Sequence, residues 1–118
     1  MSTLLDVVGY LQELDYGANV IRNAIEDGDS ITSPVTNLLT FTPGTNLGNL
    51  EPYVATINIC LRMMLSTNDI TERQMDFRQF DVAVASLRTY LNSHWWQFAG
   101  AKYRTPLMAV PPVTQLSK

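Results

Sequence analysis

The chain has one cysteine and one histidine, Cys60 and His94, and these are the side chains best suited to nucleophilic chemistry or metal binding. A thiol beside an imidazole can act as a nucleophile with its base. One cysteine and one histidine are too few for the usual zinc-binding sets of Cys and His ligands. Cys60 also lies in an apolar run, where a buried thiol is common. We therefore interpret Cys60 as a structural residue and predict no catalytic residue and no metal site.

The acidic residues and the glycines do not form a recognised site either. Residues 26–30, EDGDS, do not match the spacing of a calcium-binding loop, and a solvated helix end explains them better. Residues 44–48, GTNLG, lack the Lys-Ser/Thr pair of a phosphate-binding loop. The acids between Asp69 and Asp81 lie among arginines, as in exposed helical ion pairs. The sequence thus predicts a protein that is not an enzyme and has no cofactor or small-molecule substrate.

An aromatic and basic cluster begins at His94, in the stretch HWWQFAGAKYR. Adjacent tryptophans cannot both face one stripe of a helix, so at least one is expected to point toward another surface. Three interpretations stay open: packing under other parts of the same chain, contact with a partner protein, or a platform for a membrane surface or single-stranded nucleic acid. The predicted protein-interface residues, from this cluster and the apolar segment after it, are Trp95, Trp96, Phe98, Tyr103, Arg104, Leu107, Met108, Val110 and Val113.

The composition favours protein partners over nucleic acid. Charged residues make up 16% of the 118 positions, whereas about 25% is usual for soluble domains, and interface cores are depleted of charge. Arginine outnumbers lysine by six to two, which is typical of protein interfaces. The formal net charge of −3 argues against a specific nucleic-acid partner, because nucleic-acid binders are usually basic.

Charge is divided unevenly along the chain. Residues 1–51 carry a net charge of −6 and residues 52–118 carry +3. Opposite charges can pair within one fold or between neighbouring copies, and we favour pairing within the fold.

Neither a secretory signal nor a membrane-spanning segment is evident. The N-terminus lacks the basic region and the long apolar stretch of a secretory signal. The longest apolar segment, residues 53–65, is about 13 residues long and contains Arg62, whereas about 20 residues are needed to cross a bilayer. A lone cysteine fits a reducing compartment. We expect a soluble protein of the cytoplasm or of a virion, with no transmembrane segment.

Three stretches with helical patterns predict three helices. Apolar residues at alternating spacings of three and four form one stripe over residues 3–27, which predicts helix 1. A nearly all-apolar stretch predicts that helix 2 begins near Pro52 and is covered on most sides by the fold or by partners. Helix 3 is expected to begin at Asp69 with a spacing like that of a capping box, and a second stripe extends it to about residue 98.

Two further segments lack a firm helical pattern. Residues 29–50 are rich in Thr, Asn, Pro and Gly, which form turns and loops. Within this spacer, residues 35–42 alternate as in a short strand, and Ser33-Pro34 equally suits the start of a short helix. Residues 105–118 contain three prolines but stay apolar, which predicts an extended arm that packs on its own bundle or on a neighbouring subunit.

The sequence predicts a mainly α protein. It comprises a three-helix bundle over residues 1–104, with an extended spacer between helices 1 and 2, and an extended Pro-rich C-terminal arm. Low charge, heptad-like stripes and an apolar arm favour a non-enzymatic structural or assembly subunit that forms a homo-oligomer, such as a virion or phage structural or connector component. The alternative is a small adaptor or inhibitor that binds a different protein through the Trp95/Trp96 region.

Overall fold

The structure is a computed structural model, and it describes residues 4–41 and 48–94. The described residues form four α-helices and no strand, so the prediction of a mainly α protein is confirmed. A short 3-10 turn, Gly48–Leu50, leads directly into the third helix. The helices are α1 (Leu4–Asp27), α2 (Thr32–Thr40), α3 (Glu51–Ser66) and α4 (Ile70–His94).

Helix α1 confirms the first predicted helix, and it ends at Asp27, directly before Gly28. Its stripe of apolar residues is buried because spacings of three and four bring them to one side of the helix. Gly28 follows with a φ of +75°, a conformation that side chains disfavour. This turn lets the Asp29 amide donate to the Ala24 carbonyl at 2.8 Å, which caps the helix end. The buried stripe comprises Val7, Leu11, Leu14, Ala18, Ile21 and Ile25.

Helix α2 corrects the prediction of an extended spacer. Of the two alternatives for this segment, the short helix beginning near Ser33-Pro34 is the one observed, and the short strand is wrong over residues 35–40. Val35 and Leu38, one helical turn apart, are buried as α2 packs against α1 and α3. The described chain therefore has four helices where the sequence predicted three. Packing of these two side chains outweighs the weak helical preference of the surrounding Thr and Asn residues.

The contact between α1 and α2 depends on a residue without a side chain. A Cβ placed on Gly17 would lie 2.6 Å from Cδ1 of Leu38, well inside van der Waals contact. The missing side chain thus leaves room for Leu38 against the α1 backbone. A small residue in helix 1 serves close helix packing at this point.

Helices α3 and α4 form an antiparallel hairpin with the most extensive helix contact in the described chain. Pro52 lies in the first turn of α3, as predicted. At the start of α4, the Asp69 carboxylate accepts the Thr71 amide at 2.9 Å. Glu72 accepts the Thr67 hydroxyl at 2.8 Å instead of the Asp69 amide, so the Asp69 half of the predicted capping box forms and the Glu72 half does not. The expected continuation of α4 to residue 98 and the arm 105–118 lie outside the described residues.

One hydrophobic core joins all four helices. The second helical stripe predicted for residues 77–91 forms the inner side of α4. Buried apolar side chains of this kind are the dominant source of folding free energy. The largest fully buried side chains include Tyr10, Leu14, Ile21, Leu50, Ile57, Leu61, Met64, Phe80, Leu87 and Leu91.

Candidate functional site

The predicted interface residues lie beyond the part of the chain that the structure describes. The described residues end at His94, whose ring stacks on Tyr90 with 4.3 Å between ring centroids. The interface assignment therefore stays a prediction for all nine residues: Trp95, Trp96, Phe98, Tyr103, Arg104, Leu107, Met108, Val110 and Val113.

An apolar groove lies between α3 and α4 and opens to solvent. Its volume is about 460 Å³, and most of its lining surface is apolar. Arg78 is the charged residue among those that line it. A ligand-sized volume with this lining suits apolar side chains of a partner segment. The lining residues are Pro52, Tyr53, Thr56 and Cys60 of α3 and Arg78, Gln79, Val82, Ala83 and Ser86 of α4.

A second depression of about 380 Å³ continues this surface toward the turn between the two helices. Met63 and Met75 line it together with polar residues near the turn, and Gln79 lines both depressions. Ile59 lies one helical turn before Met63 on the same side of α3. We call the solvent-facing side of the α3–α4 hairpin that contains both depressions the groove face. Its exposed large apolar side chains are Ile59, Met63, Met75 and Val82.

The groove face exists because α3 has more apolar residues than one side of a helix can bury. Val54, Ile57, Leu61 and Met64 form the buried stripe, so Ile59 must lie elsewhere on the helix. Ile59 is 53% exposed, and across the groove Val82 of α4 is 66% exposed. The described residues therefore do not cover α3 (the predicted helix 2) on most sides. Covering Ile59 would require a partner or residues outside the described part of the chain. The signal in the sequence was the apolar residues of α3 that fall outside its stripe.

Cys60 lies at the wall of the groove rather than in a reactive site. The residue is buried, and burial raises the pKa of its thiol. The negative charge of Asp76 raises the pKa of the Cys60 thiol further. The thiol is therefore protonated near neutral pH, whereas nucleophilic chemistry needs the thiolate. This environment fits the interpretation of Cys60 as a structural residue.

Charged residues link α1 and α4 on the opposite side of the hairpin. The Arg88 guanidinium donates a short hydrogen bond to the Asp15 carboxylate, and both side chains are nearly buried. Next to them, Arg22 of α1 lies 3.9 Å from the Asp81 carboxylate and 5.6 Å from the centre of the Phe77 ring. Sequence analysis missed this cluster, because the partners Asp15 and Arg88 are 73 positions apart.

Burial dominates the electrostatics of this cluster. It raises the pKa of Asp81 to about 6, although Arg22 and Arg88 pull it down. Burial also raises the pKa of Asp15 despite its bond to Arg88, and it lowers the pKa of Arg88. Desolvation of these charges thus affects their pKa values more than their mutual attraction does, as is common for buried ion pairs.

A polar depression of about 540 Å³ adjoins this cluster but offers no clear ligand chemistry. Arg22 and Arg78 line it together with Glu26 and Asp81, so charges of both signs face the same space. Among the described residues, no group of three or more His, Cys, Asp or Glu side chains is placed to hold a metal ion. We interpret the cluster as the structural connection between α1 and α4.

No protein-family model, curated protein or solved structure matches this chain. Among the described helices, none combines the length and the hydropathy that crossing a membrane requires. The groove face is therefore the feature of the described residues from which a function can be inferred.

Proposed function

We propose that this protein is a non-enzymatic structural subunit that forms a homo-oligomer through its groove face. The observation that supports the proposal is the cluster of four exposed apolar side chains, Ile59, Met63, Met75 and Val82, on one side of the α3–α4 hairpin. Met63 and Met75 line one depression and Val82 lines the adjoining groove. Large exposed apolar surface on one side of a domain is typical of protein contacts. Methionines add flexible side chains that can adapt to an opposing helix.

A second copy of the same hairpin is a suitable partner for this face. Two-fold symmetric dimers bring the same surface of both subunits together, so one apolar face covers another. Two helical hairpins packed at about 20° form the arrangement of a four-helix bundle. The low charge of the chain, 16% of its residues, fits a surface that is partly covered in an assembly. A subunit of this kind would suit a virion or phage structure, including a connector.

The test is the mass of the full chain measured by light scattering after size exclusion, over a range of micromolar concentrations. We expect a discrete oligomer. The double variant Met63→Glu/Met75→Glu should raise the dissociation constant by about 100-fold or more, because association would bury unpaired charges. Gln12→Glu/Asn23→Glu adds the same charge to exposed positions of α1 and serves as the matched control.

Two results would contradict the proposal. One is a full chain that stays monomeric over the whole concentration range. The other is an oligomer that both double variants weaken equally, because the contact would then lie away from the groove face. A monomer would favour the alternative of an adaptor or inhibitor that binds a different protein through Trp95 and Trp96.

A further inference from the structure

We infer that the part of the groove between Pro52 and Ser86 is the docking site of the chain's own C-terminal arm, with residues 107–113 as the bound segment. This part of the groove face lies at the end of the hairpin where α3 begins and α4 approaches its end. The inference does not depend on self-association of the protein. It assigns an occupant to an apolar groove that the described residues leave open to solvent.

The chemistry of the segment matches the lining of the groove. Residues 107–113, LMAVPPV, contain no charged and no polar side chain. The two adjacent prolines favour an extended, polyproline-like conformation and have no amide hydrogen that needs a partner. Proline-rich segments of this kind dock in grooves that present aromatic rings. Tyr53 supplies such a ring in the lining, where it packs against Tyr90 with 5.0 Å between centroids.

The chain has enough length to bring the segment back to the groove. The described part of α4 ends at His94, and Ser86 lies eight residues earlier, which is about 12 Å along a helix axis. Residues 95–106 connect the helix to the segment and can span up to about 40 Å when extended. This length exceeds the distance back to the groove, so the chain is long enough to reverse and bring the segment there.

Net charge favours contact between the arm and the helical body, and the segment 107–113 that would lie near the groove residue Arg78 is uncharged. Residues 95–118 contain three cations, Lys102, Arg104 and Lys118, and no acidic residue. Residues 1–94 carry a net charge of −6. Glu51 is exposed at the start of α3, next to the groove residue Pro52. Attraction between a basic arm and an acidic body strengthens docking and orients the arm.

The occupant is the arm of the same chain rather than that of a second copy. A short flexible connection gives the tethered segment an effective concentration on the order of millimolar, which exceeds the micromolar concentration of other copies. Docking in this part of the groove covers Val82 and leaves Ile59, Met63 and Met75, nearer the helix turn, available for contact with a second copy.

A disulfide between the arm and the groove tests the inference in the full chain. In a Cys60→Ala background, Ser86→Cys is combined with Ala109→Cys, and oxidation is followed in dilute solution by mass and by mobility without reductant. We expect a disulfide within one chain that forms about tenfold faster than in the control, as the tethered contact raises the local concentration. The control combines Ala109→Cys with Ser33→Cys, another exposed serine, on α2. Equal rates would overturn the inference, and so would disulfides that link two chains.

A thiol placed in the groove gives a second test. In a Cys60→Ala/Ser86→Cys background, Leu107→Asp/Val110→Asp should speed the reaction of the introduced thiol with a thiol reagent by about fivefold or more, because position 86 is exposed in the groove lining and thiol reactivity follows access. Thr114→Asp/Ser117→Asp, in the polar end of the arm, is the charge-matched control. Unchanged reactivity in the first variant would overturn the inference. Light scattering reports self-association separately, so failure of the arm contact and failure of the oligomer proposal are distinguishable.

Discussion

Helix α4 has two sides with opposite chemistry. Toward α1 it buries Arg88 against Asp15, while Val82 on the groove face is left 66% exposed. Burying charge carries a desolvation penalty, and leaving apolar surface in water forgoes hydrophobic stabilisation. Replacing one partner of the buried ion pair on the α1 side should destabilise the fold strongly. Replacing an exposed apolar side chain of the groove face should change the stability of a single chain little. The side of the hairpin that packs on α1 therefore contributes to folding stability, and the groove face is the side available for contact with other molecules.

The largest expected effect is removal of the cation from the α1 side. Arg88→Met should lower the free energy of unfolding by about 3–5 kcal/mol, because Asp15 would stay buried without its cation. The double variant Asp15→Leu/Arg88→Met should recover most of this loss. Urea unfolding measures both, with Arg62→Met on the exposed side of α3 as control. A loss below about 1 kcal/mol in Arg88→Met would mean that the Asp15–Arg88 pair contributes no more than an exposed ion pair, and would contradict the difference between the two sides of α4.

Close packing of α1 against α2 should also be sensitive. Gly17→Ala should lower the free energy of unfolding by about 1–2 kcal/mol, because its Cβ would meet Leu38 and overpack the contact. Gly9→Ala, with no atom within 4 Å of its new Cβ, should instead raise it by about 1 kcal/mol through helix propensity. Thermal unfolding of the two variants measures the difference. Equal stabilisation by both would show that Leu38 moves away at no cost.

The raised pKa of Asp81 makes stability depend on pH. This pKa is about 6 in the folded protein and near 3.8 in the unfolded chain, so the unfolded chain binds fewer protons between these values. The contribution of Asp81 protonation to the free energy of unfolding is greatest below pH 3.8 and is lost as the pH rises through 6. Asp81→Asn should therefore stabilise the protein more at neutral pH than at acid pH. The difference between its effects on the free energy of unfolding at the two pH values should be about 1 kcal/mol.

Urea unfolding on both sides of this pH window measures the Asp81 effect. The exposed Asp29→Asn, which removes the same charge between α1 and α2, is the control. An advantage of Asp81→Asn that is as large at acid pH as at neutral pH would contradict burial as the cause of the raised pKa.

The smallest effect is expected on the groove face. In dilute, monomeric protein, Met75→Ala should change the free energy of unfolding by less than about 0.5 kcal/mol, because Met75 is 52% exposed. Met64→Ala, at a fully buried methionine of α3, should lower it by about 2–5 kcal/mol. Urea unfolding of this matched pair tests whether the groove face contributes to the fold. Similar losses in both would mean that Met75 is covered within the chain.

Sequence periodicity predicted the long helices but did not predict the groove face as a site. The stripe of α1 and the start of α3 at Pro52 were predicted because local spacing and first-turn preferences decide them. The groove was indicated only by the excess of apolar residues in α3. Helical spacing shows that Ile59 lies outside the buried stripe, but it does not show which neighbouring helix forms the other wall. That wall, with Val82, depends on the crossing of α3 and α4.

The sequence by itself determined that this chain is mainly helical, where three of the four described helices lie, and which sides of α1 and α4 are buried. Tertiary structure alone decided that residues 32–40 are helical and that Asp15 meets Arg88. Helical periodicity is a local property, because residues three and four apart share one side of a helix. The pairing of residues 73 positions apart, and the docking of Leu38 on Gly17, depend on how whole helices pack.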